Sequence, residues 1–106
     1  MPLRAHLLDL AAALDAGGET ARAQRARSAA DGTEPELLTF LTSNELWGGA
    51  GSIADQAGGG GDRSPQRKAI EAVLVALGKE QIRVGTVNSR IEMWVSAFDN
   101  WSRSGI

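Results

Sequence analysis

The segment Asn44-Glu45-Leu46-Trp47-Gly48-Gly49-Ala50-Gly51-Ser52-Ile53-Ala54-Asp55 is the part of this chain best equipped for chemistry. It sets a large aromatic beside closely spaced glycines and then gives a helix-start signal, Ser52-x-x-Asp55. Glycine costs backbone entropy, so such a cluster marks special dihedrals or a close approach by another group. Three uses follow. Backbone N–H groups of Gly48, Gly49 and Gly51, with the Ser52 hydroxyl and Asp55 at the helix start, can face an anion such as phosphate or carboxylate. Trp47 can anchor a protein partner, because tryptophan dominates many interface hot spots. Or Trp47 caps the core while the glycines let a tight turn pass beneath it. The anion reading lacks a Walker lysine, a dinucleotide fingerprint and a preceding strand.

Other polar groups offer less. Asn44, Glu45, Asp55, Asp62 and Glu92 include carboxylates able to do acid–base work or hold a hard cation, but no calcium-loop spacing is present. They read as caps and solubilising groups. Ser43 and Ser52 have no companion base to make them nucleophiles. His6 is the single histidine and there is no cysteine, so no thiolate chemistry, disulfide or histidine-rich metal site is expected. No catalytic, cofactor or metal residues are assigned. Arg4, Arg22, Arg25 and Arg27 are interleaved with alanine, which gives bases nothing to stack on, so they read as solvated helix faces.

The balance of charge agrees. The 106 residues carry a formal charge of −2, with 42% hydrophobic and 23% charged residues, the usage of an ordinary globular chain. Residues 1–53 set four arginines against seven carboxylates, and residues 54–106 are nearly balanced. Neither nucleic acid nor an anionic membrane is expected as a partner. No apolar run reaches membrane-spanning length, and Asp9 interrupts the N-terminal stretch where a signal peptide needs an apolar core. A cytoplasmic location is the expectation.

The elements that must position these groups read as helices. Leu3, Leu7, Leu10 and Leu14 share one face of a helix over about 2–16, which Gly17-Gly18 ends. Residues 19–30 form an alanine- and arginine-rich helix whose Ala23, Ala26 and Ala30 allow close packing. Thr33-x-x-Glu36 is a capping box ahead of Leu37, Phe40 and Leu41, and glycine at 48 and 49 stops the helix beyond Trp47. Gly58 to Gly61 form a flexible loop. Ser64-Pro65 opens the longest helix, with the stripe Ile70, Val73, Leu74 and Leu77; Gly78 is placed to end or bend it. Residues 81–87 alternate enough for a strand but have no second strand to pair with, so helix to about Gly85 is preferred. Asn88 or Ser89 caps the last helix, with Ser89-x-x-Glu92 as a box and Ile91, Trp94, Val95, Phe98 and Trp101 as its apolar face.

The resulting expectation is an all-α, compact bundle of five to six helices forming a single domain over 1–106. The favoured function is a small non-catalytic interaction or regulatory protein. Its partner would be another protein or a second copy of the chain. The alternative is a small-ligand or anion binder, enzymatic or not, using Trp47 to Asp55. The alanine, arginine and glycine bias points to a bacterial source.

Overall fold

In the computed structural model the described residues are 2–48, 52–54, 65–88 and 90–103. Gly49, Gly51, Asp55, the Gly58 to Gly61 loop, Ser89, the Trp101 side chain and residues 104–106 lie outside them. Among the described residues all regular structure is helical, as the spacing predicts: α1 Pro2–Ala16, α2 Thr20–Asp31, α3 Glu34–Leu41, the single turn α4 Asn44–Trp47, α5 Pro65–Val84 and α6 Ile91–Arg103. Ile53 and Ala54 are helical as well. No described helix is long and apolar enough to cross a membrane.

Local chemistry sets the boundaries. After α1, Gly18 takes the left-handed φ of +83°. Glu19 N then bonds Leu14 O at 2.8 Å and Gly18 N bonds Asp15 O at 3.0 Å, closing the free carbonyls of the last turn. The end of α5 repeats this geometry. Gly85 has φ +81°, with Thr86 N on Gln81 O and Gly85 N on Ile82 O. Residues 81–84 are therefore helix, and the turn follows at Gly85. The Thr33 capping box is formed in both directions: Glu36 N donates to Thr33 Oγ1, and Thr33 N donates to Glu36 Oε1. Those bonds hold the Glu36 carboxyl below its ordinary pKa, the backbone bond first.

One boundary differs from the sequence reading, in which the helix after Thr33 runs on to Trp47. The chain breaks at Thr42 and Ser43, whose hydroxyls turn back onto Leu38 O at 2.9 Å and Phe40 O at 2.6 Å. Such back-bonding competes with helix propagation. Ser43 Oγ then accepts from Leu46 N and starts α4 as a separate turn.

Packing follows the apolar stripes. Leu3, Leu7, Leu10 and Leu14 of α1, with Ala11, lie buried between α2 and α5 while Leu8 faces outward, and α6 packs on α5. Ala23, Ala26, Ala29 and Ala30 are buried on α2, whose small face lets the short Gly17–Glu19 connection lay it closely along α1. Ion pairs decorate the outside: Arg27 with Asp15 at 2.7 Å, Arg25 with Glu45 at 3.1 Å, Lys79 with Asp99 at 3.7 Å. Exposed pairs of this kind are worth about 0–1 kcal/mol each. The core holds the fold; the pairs adjust it.

Candidate functional site

Trp47 is fully buried. Its indole N–H donates to Gln81 Oε1 at 2.9 Å. The ring edge lies over α5 at Gly78, where a Cβ would stand 3.2 Å from Cη2 and 3.3 Å from Cζ2 of Trp47 and would overlap Val95 Cγ2. Gly78 therefore does not end α5, which runs on to Val84, and its reason is this close approach. It is a smooth spot where α4 and α6 both approach the helix backbone. Of the three uses of Trp47, the buried ring corresponds to the core cap.

Gln81 is the centre of the arrangement and was not singled out in the sequence. Both amide protons are used: Nε2 donates to Leu41 O at 2.8 Å and to Thr86 O at 2.9 Å. One fully buried side chain thus ties α3 and α4 to the end of α5. A signal for it existed. Continuing the stripe Ile70, Leu74, Leu77 by one more turn reaches Gln81, a polar residue at a core position.

Asn88 works alongside it. Its Oδ1 accepts from Arg90 N at 2.9 Å and Ile91 N at 3.1 Å, the N-cap role expected for it. Its Nδ2 reaches the carbonyls of Thr42 at 3.1 Å and of Ser43 and Trp47 at 3.4 Å. The start of α6 is thereby clasped onto the break between α3 and α4.

The described part of the glycine segment is spent on the same assembly. Gly48 O accepts from the Trp94 indole N–H at 3.1 Å and from Ser52 Oγ at 3.3 Å. A Cβ at Gly48 would overlap the Asn44 carbonyl, so the end of α4 itself requires glycine there. Ser52, Ile53 and Ala54 are buried. The structure brings Trp47, Gly48 and Ser52 together with Gln81, Asn88 and Trp94; Gly49, Gly51 and Asp55 lie outside the described residues. Trp94 is partly buried rather than fully so, stacked on Phe98 with ring centroids 5.4 Å apart.

The other residues weighed for chemistry also have local duties. Ser43 is a cap. Arg25 lies 5.0 Å over the Phe40 ring, beside a shallow cleft of about 330 Å³ between α2 and α3 that Ser28, Pro35, Glu36 and Thr39 help to line. Arg22 pairs with Glu19, and Arg4 donates to the Ala30 carbonyl. Glu80 lies below its ordinary pKa chiefly because Arg83 hydrogen-bonds it. Among the described residues no three histidine, aspartate or glutamate side chains converge as metal ligands. No protein-family model, curated protein or solved structure matches the chain.

Proposed function

We propose that this chain is a small non-catalytic interaction module that binds a protein surface. The observation that carries the reading is the exposure of Val84, Val87 and Met93, which are 47%, 44% and 52% accessible. All three fall in one short stretch, from the last residue of α5 through the turn into the first turn of α6. Isolated exposed apolar residues are ordinary, whereas apolar residues grouped in one corner are what partners use. The described residues of that corner are tied to the body of the fold. Part-buried bonds from Gln81 to Thr86 O and from Asn88 to Thr42 O, with the left-handed Gly85, hold them, and a pre-ordered surface loses less entropy on binding. Residue composition and the absence of cysteine favour a bacterial cytoplasm as its setting.

The alternative, a small-ligand or anion site in Trp47 to Asp55, draws its support from the glycines. Two of its proposed groups have other work: Gly48 is needed for the end of α4, and Ser52 donates to Gly48. The partner reading is tested by amide-shift mapping with candidate proteins and with phosphate and acetate. Under this proposal, protein partners perturb Val84 to Met93 and the anions leave the chain unchanged. Saturable shifts confined to Gly48 to Asp55 on adding an anion would replace it with the ligand reading.

A further inference from the structure

The cleft between α2 and α3 is made by small side chains. Arg25, Ser28 and Ala29 are spaced three and four apart, so they share one face of α2. Glu36 and Phe40 are one turn apart on α3, with Thr39 beside Phe40. Ser28, Ala29 and Thr39 are too short to fill the space between the two helices, and about 330 Å³ stays open. That volume is at the small end of ligand sites, which run from about 300 to 1,000 Å³. The floor is apolar, since Ala29 and Phe40 are buried beneath it and Pro35 forms part of the wall.

The rim is polar and in part unspent. Arg25 is held in place twice: its guanidinium lies 5.0 Å over the Phe40 ring, and its Nε donates to Glu45 Oε1 at 3.1 Å. Its two terminal nitrogens have no hydrogen-bond partner among the described residues, and neither do the Ser28 and Thr39 hydroxyls. Glu36 spends Oε1 on the Thr33 backbone N–H and hydroxyl and keeps Oε2 unbonded among the described residues. These charges select the ligand. A plain anion drawn to Arg25 meets the carboxylates of Glu36 and Glu45, and a plain cation drawn to Glu36 meets Arg25. A small molecule that carries both charges satisfies both groups. Its carboxylate matches the paired terminal donors of the guanidinium, and its ammonium donates to the free oxygen of Glu36. An apolar body on the same molecule covers the floor of Ala29 and Phe40.

We infer that this cleft binds a free α-amino acid with an apolar side chain, its carboxylate on Arg25 and its ammonium on Glu36. The site goes beyond the protein-binding corner and shares no residue with it. Both charged groups are exposed and water competes for them, so the affinity is low, with a Kd of about 1 mM. The test is an amide-shift titration of the full chain at neutral pH with L-leucine to about 50 mM, well above that constant. Saturable shifts should centre on Arg25 to Ala29 and Pro35 to Phe40. L-leucinamide lacks the carboxylate and isocaproate lacks the ammonium, so each should bind about threefold or more weaker than leucine. Acetate should leave the cleft unchanged. Glu36→Gln keeps an acceptor for Thr33 but removes the charge, and it should raise the Kd for leucine by about threefold or more, as should Arg25→Gln. Ser28→Leu, at an exposed position, fills the cleft and should abolish binding. Unchanged amide spectra of the core without leucine establish that the variants fold. Glu36→Gln and Ser28→Leu decide the matter should Arg25→Gln disturb the packing over Phe40. The site is overturned by the absence of saturable shifts or by a shift map centred elsewhere. Leucinamide or isocaproate binding as tightly as leucine overturns it too, as does full binding by Ser28→Leu.

Discussion

The indole N–H of Trp47 and the side-chain carbonyl of Gln81 are 2.9 Å apart, and neither residue has any solvent exposure. A buried donor that loses its acceptor cannot turn to water, and each orphaned group costs about 1–3 kcal/mol. Gln81→Leu keeps most of the volume but strands the Trp47 N–H and removes both bonds to backbone carbonyls. We expect a loss of about 2–4 kcal/mol in urea unfolding. Trp47→Phe should cost a similar amount, since it orphans Gln81 Oε1 and leaves space beside Gly78. Because the two variants disturb one bond, the double variant should cost less than the sum of the singles. Strict additivity would show that this bond contributes nothing.

Gly78 tests the packing around the same ring. In an open helix, alanine in place of glycine stabilises by about 0.8–1.0 kcal/mol. Here the added methyl would overlap Val95 and press on Trp47. Overpacking of this kind costs about 1–3 kcal/mol, so Gly78→Ala should lower stability despite its better propensity. Val95→Ala should rescue part of that loss in the double variant while destabilising on its own. A thermal melt that rises for Gly78→Ala alone would show that α6 can move away at little cost.

These two residues also mark how far the sequence could be read. The helices were legible because apolar residues recur at spacings of three and four, and because Gly17-Gly18, Thr33-x-x-Glu36 and Pro65 are local signals acting within one turn. The break at Thr42 and Ser43 was hidden, since both hydroxyls act on carbonyls of a helix whose apolar spacing continues past them. Gly78 looked like a terminator because its reason lies on two other helices. Trp47 and the glycines after it drew attention as a site, yet exposure is a tertiary property that residue type does not carry. Gln81 was passed over because a lone glutamine has no local signature; only its place on the Ile70 stripe could have flagged it. The apolar corner was hidden for the converse reason, since Val84, Val87 and Met93 are valines and a methionine among core residues of the same kind.

Asn88 combines two roles that substitution can separate. Its oxygen caps α6, and its amide group clasps the carbonyls of Thr42, Ser43 and Trp47. Serine keeps a capping oxygen but has no amide to reach the other side. Asn88→Ser should therefore cost about 1 kcal/mol, the loss of the clasp alone. Asn88→Ala should cost about 1 kcal/mol more, the further loss of the cap. Amide exchange distinguishes the roles: Asn88→Ser should speed exchange in α4 while leaving the first turn of α6 protected. Equal stabilities for the two variants would mean that the cap is dispensable.

The dependence of stability on acid follows from two carboxylates. Glu36 is held below the ordinary value of 4.5 first by the Thr33 backbone bond, and Glu80 first by its hydrogen bond to Arg83. Both pKa values are lower in the folded chain than in the unfolded one, so the unfolded state binds protons first as pH falls. Their contribution is complete above the unfolded value, and it disappears as pH drops from about 4.5 through the lowered folded values. Glu36 is exposed and the half-buried Glu80 pairs with an exposed Arg83, so screening keeps the effect modest and added salt should reduce the part due to Arg83. Stability measured by urea unfolding should be flat from neutral pH down to about 5 with respect to these groups and then decline. Glu36→Gln should flatten part of that decline, because an amide can still accept from Thr33 but does not titrate. Glu80→Gln should flatten another part, and in that variant salt should matter less. An acid limb that keeps its full slope in the double variant would assign the decline to carboxylates other than these two.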